Sequence, residues 1–159
     1  MIKRSEKLAF MQVSSDGNDV FARMTGFTEF SISKNPKEYS RKYIDEINER
    51  TAVVSYSPAI SYKFDIDPQN NVHSKLVEVY DKELLGDDTL CTIVLVDLSS
   101  LDEDGNCIAV KRDFNVIPNS EGDDTDTYTY SGSLRASGEK TFGVASSSDN
   151  FETVTFSEE

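Results

Sequence analysis

TAVVSYSPAISYKFDID, Thr51 to Asp67, is the stretch that decides the fold. Val54, Tyr56, Ile60, Tyr62, Phe64 and Ile66 fall on even positions, and Ser55, Ser57, Ala59, Ser61, Lys63, Asp65 and Asp67 on odd ones. Successive side chains of a strand point to opposite faces, so this period of two predicts one apolar, aromatic face and one small or polar face. Pro58 interrupts the run and has no N–H for a ladder, which predicts a bend or an edge there.

Immediately upstream, Lys34 to Arg50 (KNPKEYSRKYIDEINER) admits two readings. Tyr39, Arg41 and Tyr43 alternate as in a strand, whereas Tyr39, Tyr43, Ile44 and Ile47 also match a helical stripe. The strand reading pairs the two segments into a long hairpin over about residues 34–67 with a charged tip near Glu46 to Glu49. Farther upstream, Leu8 to Val13 predicts an N-terminal strand, Ser14 to Asn18 a turn, and Val20 to Ile32 one or two more strands.

Downstream the period changes. Val72, Leu76, Val79, Tyr80 and Leu84 lie on one face of a helix predicted over about residues 71–85, with Asn70 or Asn71 as N-cap and Gly86 as stop. Lys75, Glu78, Lys82 and Glu83 are expected to face water. Thr89 to Leu98 is nearly all apolar, the pattern of a strand buried on both faces. An Asp-Gly turn within Ser99 to Asn106 leads into Cys107 to Pro118, where Ile108, Val110, Phe114 and Val116 define one face. Three strands are expected over Thr127–Ala136, Lys140–Ala145 and Phe151–Phe156. The sum is a single, mainly β domain over residues 1–159: a β-sandwich or open barrel of seven or eight strands, with one flanking helix and a projecting hairpin.

Composition narrows the function. Of the net charge of −13, residues 1–50 carry +1 (nine basic, eight acidic) and residues 51–159 carry −14 (seven basic, twenty-one acidic). A phosphate-gripping protein needs a basic face, so nucleic-acid binding is not expected. The imbalance suits head-to-tail contact between copies, and also plain solubility. No run approaches the ~18 apolar residues of a membrane span, and the start lacks the apolar centre of a signal peptide. Synthesis in the cytosol is expected, with Cys91 and Cys107 as free buried thiols.

Few residues carry chemistry. His73 is the single histidine and is read as a solvent-facing residue of the first helical turn, without the companions that a zinc site or a nucleophile needs. Asp102 to Asn106 resembles a calcium loop only superficially: with Gly105 at its sixth position, Lys111 falls where a bidentate Glu is required. Glu121 to Asp126 clusters carboxylates and is read as a solvated loop. No glycine-rich phosphate loop and no tryptophan is present. The chain is therefore expected not to be an enzyme and to use no cofactor or metal.

Three segments, KNPKEYSRKYIDEINERTAVVSYSPAISYKFD (Lys34 to Asp65), AVKRDFNVIP (Ala109 to Pro118) and SEGDDTDTYTYSGSLRASG (Ser120 to Gly138), resemble the phage tail tube proteins, or major tail proteins, of phages and prophages of Gram-positive bacteria. The similarity runs from about Phe27 to about Phe142. It implies a structural subunit that forms hexameric rings stacked into a hollow tube through which DNA passes. Tape-measure, tail-tip and tail-terminator proteins are the implied partners, and the implied location is the virion tail, assembled in the host bacterial cytoplasm. On this resemblance Tyr39, Arg41, Lys42, Tyr43, Asp45, Glu46 and Arg50 are candidate contacts between subunits, and Asp65 and Asp67 candidate acidic groups facing the lumen. The alternatives are a tube subunit of a tail-like bacteriocin and a monomeric β-sandwich module for binding or decoration.

Overall fold

The computed structural model describes residues 1–15 and 17–159; the expected turn at Ser14 to Asn18 lies partly outside them. Among the described residues the chain forms ten strands and one α-helix. They are β1 (Lys7–Ser15), β2 (Asn18–Arg23), β3 (Phe27–Ser33), β4 (Pro36–Arg41), β5 (Arg50–Tyr56), β6 (Ala59–Asp65), α1 (Asn71–Lys82), β7 (Leu90–Asp97), β8 (Asn106–Glu121), β9 (Thr129–Ser146) and β10 (Thr153–Glu158). No described helix is long and apolar enough to cross a membrane.

Eight strands join in the order β10-β2-β1-β7-β8-β9-β6-β3, and β10 also pairs with β9. The second pairing closes β10, β2, β1, β7, β8 and β9 into a barrel, which leaves no free edge within that circuit. Closure is possible because β9 divides its length. Its first half, Thr129 to Arg135, pairs with β6, and its last part, Gly143 to Ser146, pairs with β10. The sequence suggests two strands here; instead one long strand passes through Gly138 at φ 88, a backbone conformation open to glycine. Opposite it, β8 shifts register between Lys111 and Asp113. That shift moves the buried face of β8 from Cys107 and Ala109 to Phe114 and Val116, so Ile108 is exposed where a regular strand would have buried it with Phe114.

Both faces of β1 and β7 bury apolar side chains, as the unbroken run at Thr89 to Leu98 requires. Met11, Val13, Cys91 and Ile93 join one cluster with Tyr62, Phe64, Leu76 and Leu134. Phe10, Val94 and Val96 join the other with Cys107, Ala109, Ala145 and Val154. Helix α1 presents Val72, His73, Leu76 and Val79 to the first cluster. The Asn70 side chain caps it by accepting from the Val72 and His73 amides at 2.9 and 3.3 Å. The helix stops before Gly86: Glu83, at φ 49, takes the left-handed position after Lys82. Lys75 is not solvent-directed, since its Nζ donates to the Gln12 carbonyl at 2.7 Å.

The deciding stretch is two strands. Pro58 is buried, its carbonyl accepts from the Ala136 amide at 3.0 Å, and it separates β5 from β6 as a break, not an edge. Beyond it Ile60, Tyr62 and Phe64 are buried as the alternation predicts. Before it Val54 and Tyr56 keep the same parity but are exposed, because no layer lies beneath them. The partner of β6 is β3, not the 34–50 segment, and β6 is interior, paired with β9 on its other side. The hairpin thus has arms of residues 27–41 and 50–65, hinged at Asn35, which adopts φ 47 and donates from Nδ2 to the Ser57 carbonyl at 3.0 Å.

Candidate assembly surface

Strands β4 and β5 form a separate two-stranded ribbon, paired among the described residues only with each other. Every residue of both is exposed. Tyr39 lies opposite Ala52, and Ser40 opposite Thr51 with their hydroxyls 3.0 Å apart. The β-branched and aromatic content explains the extended backbone; it does not explain why Tyr39, Val53, Val54 and Tyr56 face solvent. At the tip Ile44 is fully exposed and Ile47 is 91% exposed.

All seven residues expected at a contact lie on this ribbon or its tip. Tyr39 and Arg41 belong to β4, Arg50 opens β5, and Lys42, Tyr43, Asp45 and Glu46 make the turn between them. The Arg50 guanidinium pairs with Glu46 at 2.6 Å and lies 5.7 Å from the Tyr43 ring centre. The Arg41 guanidinium lies 5.2 Å from the Tyr39 ring. These local cation–π contacts and the one ion pair engage Tyr39, Arg41, Tyr43, Glu46 and Arg50 and leave the Arg50 side chain 69% exposed.

Asp65 and Asp67 lie at the opposite end of β6 from the ribbon. Asp65 accepts from the Thr127 hydroxyl at 3.1 Å, and Asp67 from the Gln69 amide at 3.0 Å, the turn that precedes α1. Around them stands the loop Glu121 to Asp126, where Asp123 accepts from Thr129 at 2.6 Å and lies 3.8 Å from the Lys63 ammonium. Hydrogen bonding by Thr129 holds the Asp123 carboxyl below its usual range, so it is ionised at neutral pH. One end of the molecule is consequently an acidic pole. At the ribbon root the sign reverses. Lys140 is lowered from its ordinary value first by close contact with Lys34, then by burial and the charge of Arg112. Arg112 itself donates from Nε to the Gly138 carbonyl at 3.0 Å.

Sequence reasoning missed two further features. Strand β3 ends the sheet, with one edge unpaired among the described residues. Beside it an apolar groove of about 490 Å³ runs between β3 and the β1–β7–β8 surface. Its apolar floor continues across β8 and β9, where Ile108 faces Val144, Val110 faces Phe142, and Phe142 is 58% exposed. The run Cys107 to Val110, apolar at every position, was the available signal: a strand apolar on both faces needs cover on both.

The groups with chemical potential are used structurally. His73 is buried, which corrects the solvent-facing reading: its Nδ1 accepts from the Asp67 amide at 3.1 Å, so Nε2–H donates to the Thr25 carbonyl at 2.6 Å. The ring stacks on Phe64 with centres 4.5 Å apart. Asp102 Oδ1 accepts from the Asp104 and Asn106 amides at 3.0 and 2.9 Å, closing the turn before β8. Cys91 and Cys107 are free and buried, and burial pushes the Cys91 thiol up to about 12.

No protein-family model matches the sequence, and no curated protein matches it. Among solved structures, a chain from the cryo-EM structure of the anti-feeding prophage baseplate, 6-fold symmetrised, superposes with a TM-score of 0.54 at 9% identity, covering 89% of this chain and 94% of that one. This protein has the fold of that baseplate chain. At such low identity the likeness is one of backbone course and says nothing of the side chains that line the ribbon, the groove and the charged poles.

Proposed function

We propose that this protein is a structural subunit of a phage or phage-like tail, self-assembling into stacked hexameric rings around a channel for DNA. The observation that carries the reading is the ribbon: two strands with every residue exposed, large apolar side chains along them, and both backbone edges unpaired among the described residues. An isolated two-stranded ribbon is marginal in water, and an exposed edge is a template for pairing; identical neighbours supply both missing partners. The fold likeness to a chain of a 6-fold symmetrised baseplate supports a ring. Charge supports stacking, because the acidic pole and the cationic ribbon root lie at opposite ends of the β3–β6 flap. The acidic pole also supports a channel along which phosphate slides without sticking. Tape-measure, tail-tip and terminator proteins are the partners such a subunit would meet.

A second reading is favoured by the baseplate origin of the structural neighbour: a single ring at the end of a tube, not a tube of many rings. Electron microscopy of concentrated protein separates the two. Uniform tubes support the first, rings that never stack support the second, and a strict monomer at every concentration removes both in favour of a monomeric binding module.

A further inference from the structure

We infer that the apolar groove beside β3 receives the ribbon tip of a second copy of this chain. The inference rests on the self-assembly reading and specifies which two surfaces meet. The groove, of about 490 Å³, has walls of Leu8, Phe30, Ile32, Leu95, Ile108 and Val110. Ile32 and Ile108 are 45% and 61% exposed, so side-chain surface stands open to an incoming group. At its rim Lys7 is paired with Asp97 at 2.9 Å, which leaves Arg4 as the uncompensated charge. Arg4 donates to the Lys7 and Phe30 carbonyls at 2.6 and 3.2 Å, and among the described residues no carboxylate lies within ion-pair distance of it. The rim therefore presents positive charge above an apolar floor.

The ribbon tip is the complement. Ile44 and Ile47 are the two apolar side chains of the ribbon most exposed to water. Glu46 is neutralised by Arg50; of the remaining tip charges, Asp45 and Glu49 flank the isoleucines and Lys42 offsets one of them, none with an ion-pair partner among the described residues, so residues 42–50 keep one net negative charge. Two apolar side chains with adjoining negative charge match an apolar floor with a positive rim.

The molecule's own groove is out of reach. The ribbon strands are six and seven residues long, so at ~3.3 Å per residue the tip stands roughly 20 Å from the root. Ile32 in the groove wall lies close to that root, at the end of β3. Tip and groove are different surfaces of the chain, and contact between them is heterologous: each copy that inserts a tip still offers a groove, and the series closes into a ring or extends.

Two full-length variants test this: Ile44→Asp with Ile47→Asp, which spoils the tip, and Ile32→Asp with Ile108→Asp, which spoils the groove. All four positions are exposed, and circular dichroism and thermal melting check that each variant folds. Sedimentation velocity is expected to show the assembly midpoint of each variant raised about tenfold or more. Mixed in equal amounts, the tip variant still has a groove and the groove variant still has a tip, so dimers form and nothing larger. If wild-type protein assembles and either variant assembles at the same midpoint, or if the mixture stays monomeric, the assignment is overturned while self-assembly stands. If wild-type protein never assembles, self-assembly itself fails and the assignment with it.

Discussion

Arg41 stands directly opposite Arg50 on the rung of the ribbon nearest the tip. Like charges facing across a strand pair are destabilising by a few tenths to about 1 kcal/mol, and the fold answers with local partners: Glu46 for Arg50 at 2.6 Å and the Tyr39 ring for Arg41 at 5.2 Å. A chain selected for a stable lone ribbon would place a carboxylate opposite Arg50. With Arg41 there instead, the rung carries a cation that a neighbouring copy can engage.

Arg41→Glu therefore moves two properties in opposite directions. In the isolated subunit the new carboxylate faces Arg50, and hydrogen exchange of the ribbon amides from Tyr39 to Thr51 should slow. Assembly, followed by sedimentation, should weaken. Slower exchange with unchanged assembly would remove Arg41 from the contact.

The junction of β6, β9 and α1 is sensitive to volume at one position. A Cβ on Gly132 would meet the Ile117 carbonyl at 2.6 Å, the Tyr80 hydroxyl at 2.7 Å and the Tyr62 hydroxyl at 2.9 Å. The two hydroxyls are themselves 2.6 Å apart, and Tyr80 reaches the Ser131 carbonyl at 2.6 Å. Gly132→Ala is expected to destabilise the fold by about 1–3 kcal/mol, a fall in Tm of roughly 2–4 °C per kcal/mol for a chain of this size. Tyr62→Phe leaves Tyr80 bonded to Ser131 and should cost about 1 kcal/mol. Urea denaturation of the two variants measures the difference.

His73 gives the fold an acid limit. Burial is the main cause that lowers it from the ordinary value of 6.5, while the Thr25 carbonyl and the Asp67 and Asp65 charges act the other way. A proton on Nδ1 would face the Asp67 amide, so the native state resists protonation while the unfolded chain accepts it. The unfolded state then binds more protons just below the ordinary value, and stability falls with falling pH in that window. Unfolding free energy should be flat above about pH 7 and decline below about 6.5 by up to about 1.4 kcal/mol per pH unit. In His73→Gln the overall stability drops, but the decline that begins below about pH 6.5 should vanish; a decline that persists there assigns it elsewhere.

The same residue shows where reading the sequence stopped. Val72, Leu76 and Val79 mark the buried stripe of α1 by spacing alone, and Asn70 marks its start. His73 sits next to that stripe, and only the Thr25 and Asp67 backbone groups that meet its ring draw it inward; those are contacts between elements distant in sequence. Ile60, Tyr62 and Phe64 were legible because the strand beneath them is regular. Val54 and Tyr56 share their parity, and alternation cannot tell whether a layer lies below. The β8 shift at Lys111–Asp113 hid the exposure of Ile108 for a similar reason: a bulge changes parity without changing composition. The ribbon residues Tyr39, Arg41 and Tyr43 were placed in a hairpin from pattern and resemblance, whereas the groove depends on β3 lying beside β1, β7 and β8, which no local pattern encodes.

Lys34, Arg112 and Lys140 supply the last prediction. Contact with Lys34 is the first cause of the lowered Lys140, and Arg112 adds to it, so the ammonium is held at the ribbon root against repulsion. The opposite end of the flap carries Asp65, Asp67 and the Glu121 to Asp126 loop. Bringing the acidic pole of one copy to the cationic root of the next relieves the repulsion at one and the surplus of carboxylates at the other. Lys140→Gln should then leave the isolated subunit as stable as wild type or slightly more so in urea, yet raise the concentration needed for assembly. The wild-type midpoint should also rise with salt, steeply at first and little beyond about 1 M, where the Debye length is about 3 Å. In Lys140→Gln the salt dependence should be shallower. Equal salt slopes for the two proteins would place the electrostatic contact somewhere other than the ribbon root.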